Sequence, residues 1–334
     1  MLLDAALAPA SLAHVPALAR SAEALGFSAV WVSETQHNPF LPLPLVAEHT
    51  THLRFGTAVA IAFARSPMTL AHTAWDLAGQ SGGRFMLGLG TQVRAHVERR
   101  FGMPWPESPA GKLREFILAL RAVWNSWQTG EQLNFRGEYF KLTLMTPFFN
   151  PGPSEHPRPP ILIAGVNTGL ARLAGEVCDG FHVHPFHTPA YLRAVLRPAI
   201  AQGAAKAGRP AGEVQLAGAV FVVTSAAERE FVRQQIAFYA STPSYRPVLA
   251  HHGWQDIGQQ LSALAARGQW AEMPALVTDN MLDTFALSAP LADLAAPLRE
   301  RYAGLLDRVM LYRPFAPGSD DAGWAALARQ FQSA

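Results

Sequence analysis

Apolar residues in this chain come in short runs that alternate with longer stretches of helical spacing. Residues 2–7 form one such run, and Val15, Leu18, Ala22 and Leu25 then recur on a single helical face that Gly26 ends. The runs at 29–33, 53–60 and 85–89 are too short for helices and are bounded by turn residues, so they predict buried strands. Between the last two, Leu70, Ala71, Ala74, Leu77 and Ala78 mark a helix stopped by Gly82 and Gly83, which supply a left-handed residue. A long amphipathic helix follows over 112–127, with Phe116, Leu120, Val123 and Trp127 along its stripe.

The second half keeps this rhythm. Strands are predicted at 161–164, 180–184, 214–224 and 308–312, and helices at 168–177, 188–207, 226–241 and 322–331. Residues 255–304 read as further helices broken at Gly268, Pro274 and Pro290. Residues 135–142 predict a small hairpin, and the proline-rich 147–160 an ordered surface loop. Strand–helix units spread evenly over 1–334 predict an α/β protein of one domain, its parallel sheet closed into a (β/α)8 TIM barrel with insertions. A doubly wound open sheet is the competing architecture.

Composition narrows the function classes. With 334 residues, 49% of them hydrophobic, the chain can bury a large core, and a net charge of +2 gives no reason to expect nucleic acid. The lone Cys178 excludes an internal disulfide and a thiolate-rich metal site, and its apolar setting predicts a buried structural thiol. The N-terminus lacks a signal-peptide layout and no apolar run approaches a span of about 20 residues, so a cytoplasmic protein without a membrane partner is expected. His182 and His184 share a strand face, but no carboxylate run completes a ligand set, so rim or core histidines are expected and no metal. His251 and His252 read as a surface loop, and His96 as a rim or exposed helical residue. Phe63, Trp105, Phe148, Phe186 and Trp254 read as the roof of an apolar pocket or as ordinary core.

A barrel would put its chemistry where the strands end. Glu34-Thr35-Gln36-His37-Asn38 follows the second strand there, and Gly90-Thr91-Gln92 the fourth. Gly88 and Gly90 remove side chains at that exit, so a flat ligand could approach the main chain. After the fifth strand, Ala164-Gly165-Val166-Asn167-Thr168-Gly169 opens a helix whose free N–H groups and dipole suit a phosphate. An ordinary cap by Asn167 or Thr168 is the alternative.

Several of these segments together resemble the luciferase-like monooxygenase superfamily. They are Ser33-Glu34, Gly56-Thr57-Ala58-Val59 through Arg65-Ser66-Pro67, Ser81-Gly82-Gly83-Arg84-Phe85 with Gly88-Leu89-Gly90-Thr91, Ile163-Ala164-Gly165, Ala174-Gly175 and Asp179-Gly180-Phe181. The likeness spans nearly the whole chain and is nearer to members that use the deazaflavin coenzyme F420. It implies an oxidoreductase that passes a hydride between F420 and a small organic substrate. Glu34 would then sit beside the ring, with Ala58-Val59 as a cis bulge behind it. Gly90, Thr91 and Gln92 would border the ring or ribityl chain, and Ala164, Gly165, Val166 and Asn167 would hold the phosphate. Many F420 relatives have an acidic residue followed directly by histidine, whereas here Thr35 follows Glu34 and the next histidine is His37. Glu34 and then His37 are therefore the acid–base residues expected, in that order. The alternatives are an FMN-dependent monooxygenase and a non-catalytic flavin- or deazaflavin-binding protein, and a homodimer is a further expectation.

Overall fold

In the computed structural model, which describes residues 1–332, eight parallel strands close into a barrel. They are β1 (Leu2–Leu7), β2 (Ala29–Val32), β3 (Arg54–Thr57), β4 (Phe85–Gly90), β5 (Ile161–Gly165), β6 (Gly180–Val183), β7 (Gln215–Val223) and β8 (Arg308–Pro314). Each pairs with the next, and β8 returns to β1 with Arg308 opposite Leu2, so the ring has no open edge. The barrel expected from the sequence is observed, and the open sheet is excluded.

Helices pack around the ring: α1 (Val15–Leu25), α2 (Leu43–His49), α3 (Pro67–Gln80), α4 (Pro109–Thr129), α5 (Thr168–Val177), α6 (Arg197–Lys206), α7 (Ala226–Ala240) and α8 (Asp321–Gln332). Their ends follow local chemistry. The Ser66 hydroxyl accepts the Thr69 N–H to open α3, with Pro67 in the first position, where its missing N–H costs nothing. Gly82 and Gly83, at φ 61° and 79°, then turn the chain into β4. Arg84, the last residue of the Ser-Gly-Gly-Arg segment, donates to the Ala47, Leu53 and Ser81 carbonyls and to Thr50 Oγ1. That arginine ties the loop between α2 and β3 to the start of β4, on the face opposite the strand exits.

Four segments differ from the sequence reading. The run 53–60 is not one strand: β3 stops at Thr57, the Ala58–Val59 peptide is cis, and Ala60–Ile61 pairs with β4. Thr57 causes the break, since its hydroxyl donates to the Gly88 carbonyl (2.6 Å) and accepts the Gly88 N–H (3.0 Å), which takes the place of the next ladder bonds. The helix expected over 188–207 carries a π turn at Leu192–Leu196, just before Pro198, which has no N–H to donate. Within 255–304, Ala286–Ser288 is a short strand beside β7, too brief for a period to register. The final strand runs on to Pro314, past the expected end at Tyr312.

The inside of the barrel is filled from one end only. Inward-facing Ala29, Trp31, Met86, Leu162 and Ala217 form an inner apolar cluster. Beneath it Asp4 and Arg308, 2% and 1% exposed, form a two-bond ion pair at 2.7 and 2.8 Å, and Trp31 Nε1 donates to the same carboxylate at 2.8 Å. Three donors on one carboxylate satisfy a charge that burial would otherwise make costly. Toward the strand exits the inward positions become small on β1, β2, β5 and β7 and at the cis bulge, with Ala6, Ser33, Ala164, Ala219 and Ala58, while the β6 and β8 side keeps His184, Met310 and Tyr312. The plug closes one end, and the small residues leave a hollow at the other. Among the described residues no helix is long and apolar enough to cross a membrane.

Candidate active site

The hollow is a cavity of about 710 Å³ at the C-terminal ends of the strands. Ala6, Ser33, Ala58, Ala164 and Ala219 border it at strand level, with Val59 beside them. Gly90 lies directly against the cis bulge, since a Cβ there would stand 2.7 Å from Val59 Cγ2. On this side strand-end methyl and methylene groups form a low floor, which suits the face of a planar ring.

The expected site residues fall into three groups. His37, Ala58, Val59 and Ala164 border this cavity. Gly90, Thr91 and Gln92 stand at the exit of β4 and do not line it; there Gln92 takes a left-handed φ of 60° and its own side-chain oxygen accepts the Val93 N–H (2.9 Å). Gly165, Val166 and Asn167 lead away from Ala164 into α5. Asn167 and Thr168 border a separate recess of about 280 Å³ with Tyr191, Val195, Pro247 and His251. Asn167 Nδ2 donates to the Ser244 carbonyl (2.7 Å), while its Oδ1 is buried without a partner.

Glu34 is not among the residues that border the cavity. Its carboxylate accepts two bonds from Arg65, at 2.7 and 2.8 Å, and the Ile61 N–H at 2.7 Å. With its acceptor sites committed to a cation and a backbone donor, it fixes the loop after β3. His37 is exposed on the cavity's rim.

The opposite wall holds His184, expected as a rim or core histidine, and two tyrosines that the sequence reading passed over. His184, Tyr239 and Tyr312 border the cavity, and the two tyrosine hydroxyls lie 2.7 Å apart. Tyr312 Oη also donates to Gln235 Oε1 at 3.2 Å. His184 stands edge-on to Tyr239, with ring centres 4.8 Å apart. Its Nδ1 accepts the Phe186 N–H, which puts the proton of the neutral ring on Nε2, 3.4 Å from Tyr245 Oη. Burial, reinforced by His187, pushes His184 down to about 3, and burial raises Tyr239, Tyr245 and Tyr312 above the ordinary phenol value. All four groups are therefore neutral near pH 7. Tyr239 and Tyr245 sit on α7 and the turn after it, whereas Tyr312 comes from β8, 73 residues beyond Tyr239, so no local spacing connects it to them. Tyr312 alone had a signal, since it follows inward-facing Arg308 and Met310 at every second position of a strand.

The remaining histidines and aromatics take structural places. His182 borders the floor of the cavity, edge-on to Trp31 and with its Nε2 unpartnered, and burial pushes it down to about 3. His251 closes a short helix and borders the recess, where a surface loop was expected. Phe63 packs on Trp105, Phe186 stacks on Phe285 and Trp254 stacks on His252, while Phe148 is 88% exposed. None of these aromatics borders the cavity. Cys178 is buried and its thiol is pushed up by burial, as a structural residue. Among the described residues no cluster of three metal-ligating side chains occurs.

The family of luciferase-like monooxygenases matches residues 3–308 of the chain. An uncharacterized protein of Mycobacterium tuberculosis is 44% identical over 308 residues, 90% of both chains. The F420-dependent glucose-6-phosphate dehydrogenase of Nakamurella multipartita is 30% identical over 67% of each chain. Among solved structures, the coenzyme F420 dependent tetrahydromethanopterin reductase of Methanopyrus kandleri superposes with a TM-score of 0.78. It is 20% identical, with 98% of this chain and 97% of that one covered.

Proposed function

Since the chain belongs to the luciferase-like monooxygenase family, we propose that it is an F420-dependent oxidoreductase passing a hydride between the deazaflavin and a small organic molecule. The observation that carries this reading is the floor of Ala6, Ser33, Ala58, Ala164 and Ala219 at the strand ends, flat enough for a fused ring. The start of α5, where helix N–H groups and His251 border the smaller recess, is the place assigned to the anionic tail in this reading.

Ala58, Val59 and Gly90 would back the ring, and Thr91 and Gln92 would flank it. Ala164, Gly165, Val166 and Asn167 would carry the chain toward the phosphate. Bound F420 supplies a two-electron hydride carrier whose reacting carbon is poor at activating oxygen. The protein's task is then to orient the substrate, exclude water and move one proton. His37 is the proton-moving residue in this reading, because it borders the cavity and Glu34 does not. Glu34 acts through Arg65 and Ile61, as a positioning residue for the loop after β3.

The test is a panel of small alcohols and ketones offered to the protein with oxidised or reduced F420, followed by the cofactor's visible absorbance. Turnover in either direction supports the reading. Substrate-dependent oxygen uptake with reduced FMN, and none of the F420 reaction, would overturn it.

A further inference from the structure

Beyond the strand-end floor, one corner of the cavity is apolar. Helix α7 borders the cavity with Glu228, Phe231, Val232 and Tyr239, which recur at helical spacing and so share one face. Glu228 pairs with Arg313 at 3.0 Å, and this contact ties the first turn of α7 to the end of β8. Phe231 follows Glu228 by one turn, and Pro314 follows Arg313 directly. Pro314 is in register with Ala6 of β1, so Ala8, Pro9 and Ala10, which leave β1, start from the same corner, and all of them border the cavity. Phe231, Pro314, Ala8, Pro9 and Ala10 carry no polar side-chain atom, and Glu228 and Arg313 beside them hold their charges against each other.

Phe231 is the large residue of this corner, and it is 47% exposed although it borders a cavity. Phe238, the other exposed phenylalanine of α7, lies 6.2 Å from the Trp270 ring and does not border the cavity. A half-exposed phenylalanine on a cavity wall has apolar surface left to cover, and a molecule that covers it gains by taking that surface out of water. The helix that presents it is fixed at both ends of the lining face, by Arg313 at Glu228 and by the 2.7 Å contact between Tyr239 and Tyr312.

We infer that this corner binds an alkyl or aryl group of the substrate, with Phe231 setting the preference for its length. The inference rests on the hydride-transfer reading for the place of the substrate's reacting end, toward the floor and His37. A substrate charged at its far end would bring that charge against Phe231 and the alanine and proline side chains, with Arg313 already paired, so anionic tails are disfavoured.

The experiment measures the affinity of 1-butanol, 1-pentanol and 1-hexanol for the protein by ligand-observed nuclear magnetic resonance, with and without oxidised F420. In the parent each added methylene raises affinity about fourfold, the gain from burying one such group. In Phe231→Ala that step falls below about twofold, while Phe231→Leu, still apolar, keeps most of it. 6-Hydroxyhexanoate, of the same chain length as 1-hexanol but charged at the far end, binds roughly tenfold more weakly. Equal affinities along the series in the parent, an undiminished step in Phe231→Ala, or 6-hydroxyhexanoate binding as tightly as 1-hexanol overturns the inference. Circular dichroism checks the folding of the variants, and the series and the charged comparison in the parent decide the matter if Phe231→Ala is unfolded. A parent protein that binds F420 but shows no chain-length step loses the apolar corner alone; one that shows the step but binds no F420 loses the cofactor reading alone.

Discussion

Arg65 grips Glu34 from both guanidinium nitrogens, Nη1 to Oε2 at 2.7 Å and Nη2 to Oε1 at 2.8 Å. The pair is largely shielded, with side-chain exposures of 16% and 8%, and Arg65 Nη1 also reaches the Ile61 carbonyl at 3.0 Å. Glu34, Arg65 and the backbone of Ile61 thus lock the end of β2 to the loop after β3, next to the cis peptide at Ala58–Val59.

Arg65→Met leaves the Glu34 carboxylate shielded and short of a partner, and should lower unfolding stability by roughly 2–4 kcal/mol. Glu34→Gln keeps an oxygen for the Ile61 N–H and should cost less. Urea unfolding of the two variants beside the parent checks the order. An unchanged midpoint in Arg65→Met would mean that the pair contributes nothing.

Acid should unfold the protein through three histidines that stay neutral inside it. Burial pushes His182 and His184 down to about 3 and His187 to about 4, against 6.5 for an exposed ring. Between those values the unfolded chain takes up protons that the folded chain refuses, so stability present above pH 6.5 is lost as pH falls toward 4. Each histidine adds a slope of up to about 1.4 kcal/mol per pH unit. The urea midpoint measured across that range should fall steeply, and His187→Gln should flatten the fall by about a third.

Two glycines should respond in opposite directions. A Cβ on Gly88 would stand 1.8 Å from the Thr57 carbonyl oxygen, so Gly88→Ala must push β3 and β4 apart and should cost roughly 3 kcal/mol or more. Gly79 is exposed in α3, and an added methyl there would have nothing within 4 Å, so Gly79→Ala should gain about 0.5–1 kcal/mol from helix propensity. Thermal unfolding of both distinguishes close packing from chain entropy.

The sequence carried the barrel because each buried strand is a short apolar run with its own turn residues, from 2–7 to 308–312. It carried less of the site. Ala164 is a strand-end residue whose position follows from the period, whereas Ala58 and Val59 lie inside the run 53–60 and only the family resemblance points to them; all three border the cavity. The direction of the Glu34 side chain depends on Arg65, 31 residues away, and the Tyr239–Tyr312 contact spans 73 residues, so neither leaves a local pattern. The most distinctive segment, Ser81 to Arg84, holds the opposite end of the barrel together, because a side chain with several carbonyl partners can staple a fold as readily as bind a ligand.

Gly165 is a poor place to test phosphate binding, although it lies at the exit of β5. A Cβ there would meet Leu170 Cβ at 2.8 Å and Phe181 Cζ at 3.3 Å, so a side chain disturbs packing before it touches any ligand. Gly169, in the first turn of α5, is exposed and has nothing within 4 Å. Gly169→Glu should leave the melting temperature unchanged or slightly raised, since a negative charge suits a helix start. The same charge should weaken F420 binding roughly tenfold by repelling its phosphate. Unchanged affinity would place the phosphate away from α5.

The central claim is that the floor at the strand ends takes a deazaflavin. Fluorescence titration of the purified apo-protein with F420 and, separately, with FMN tests it most directly. The account predicts saturable F420 binding, tighter than FMN by roughly a hundredfold. Tight FMN binding with none for F420 would contradict it.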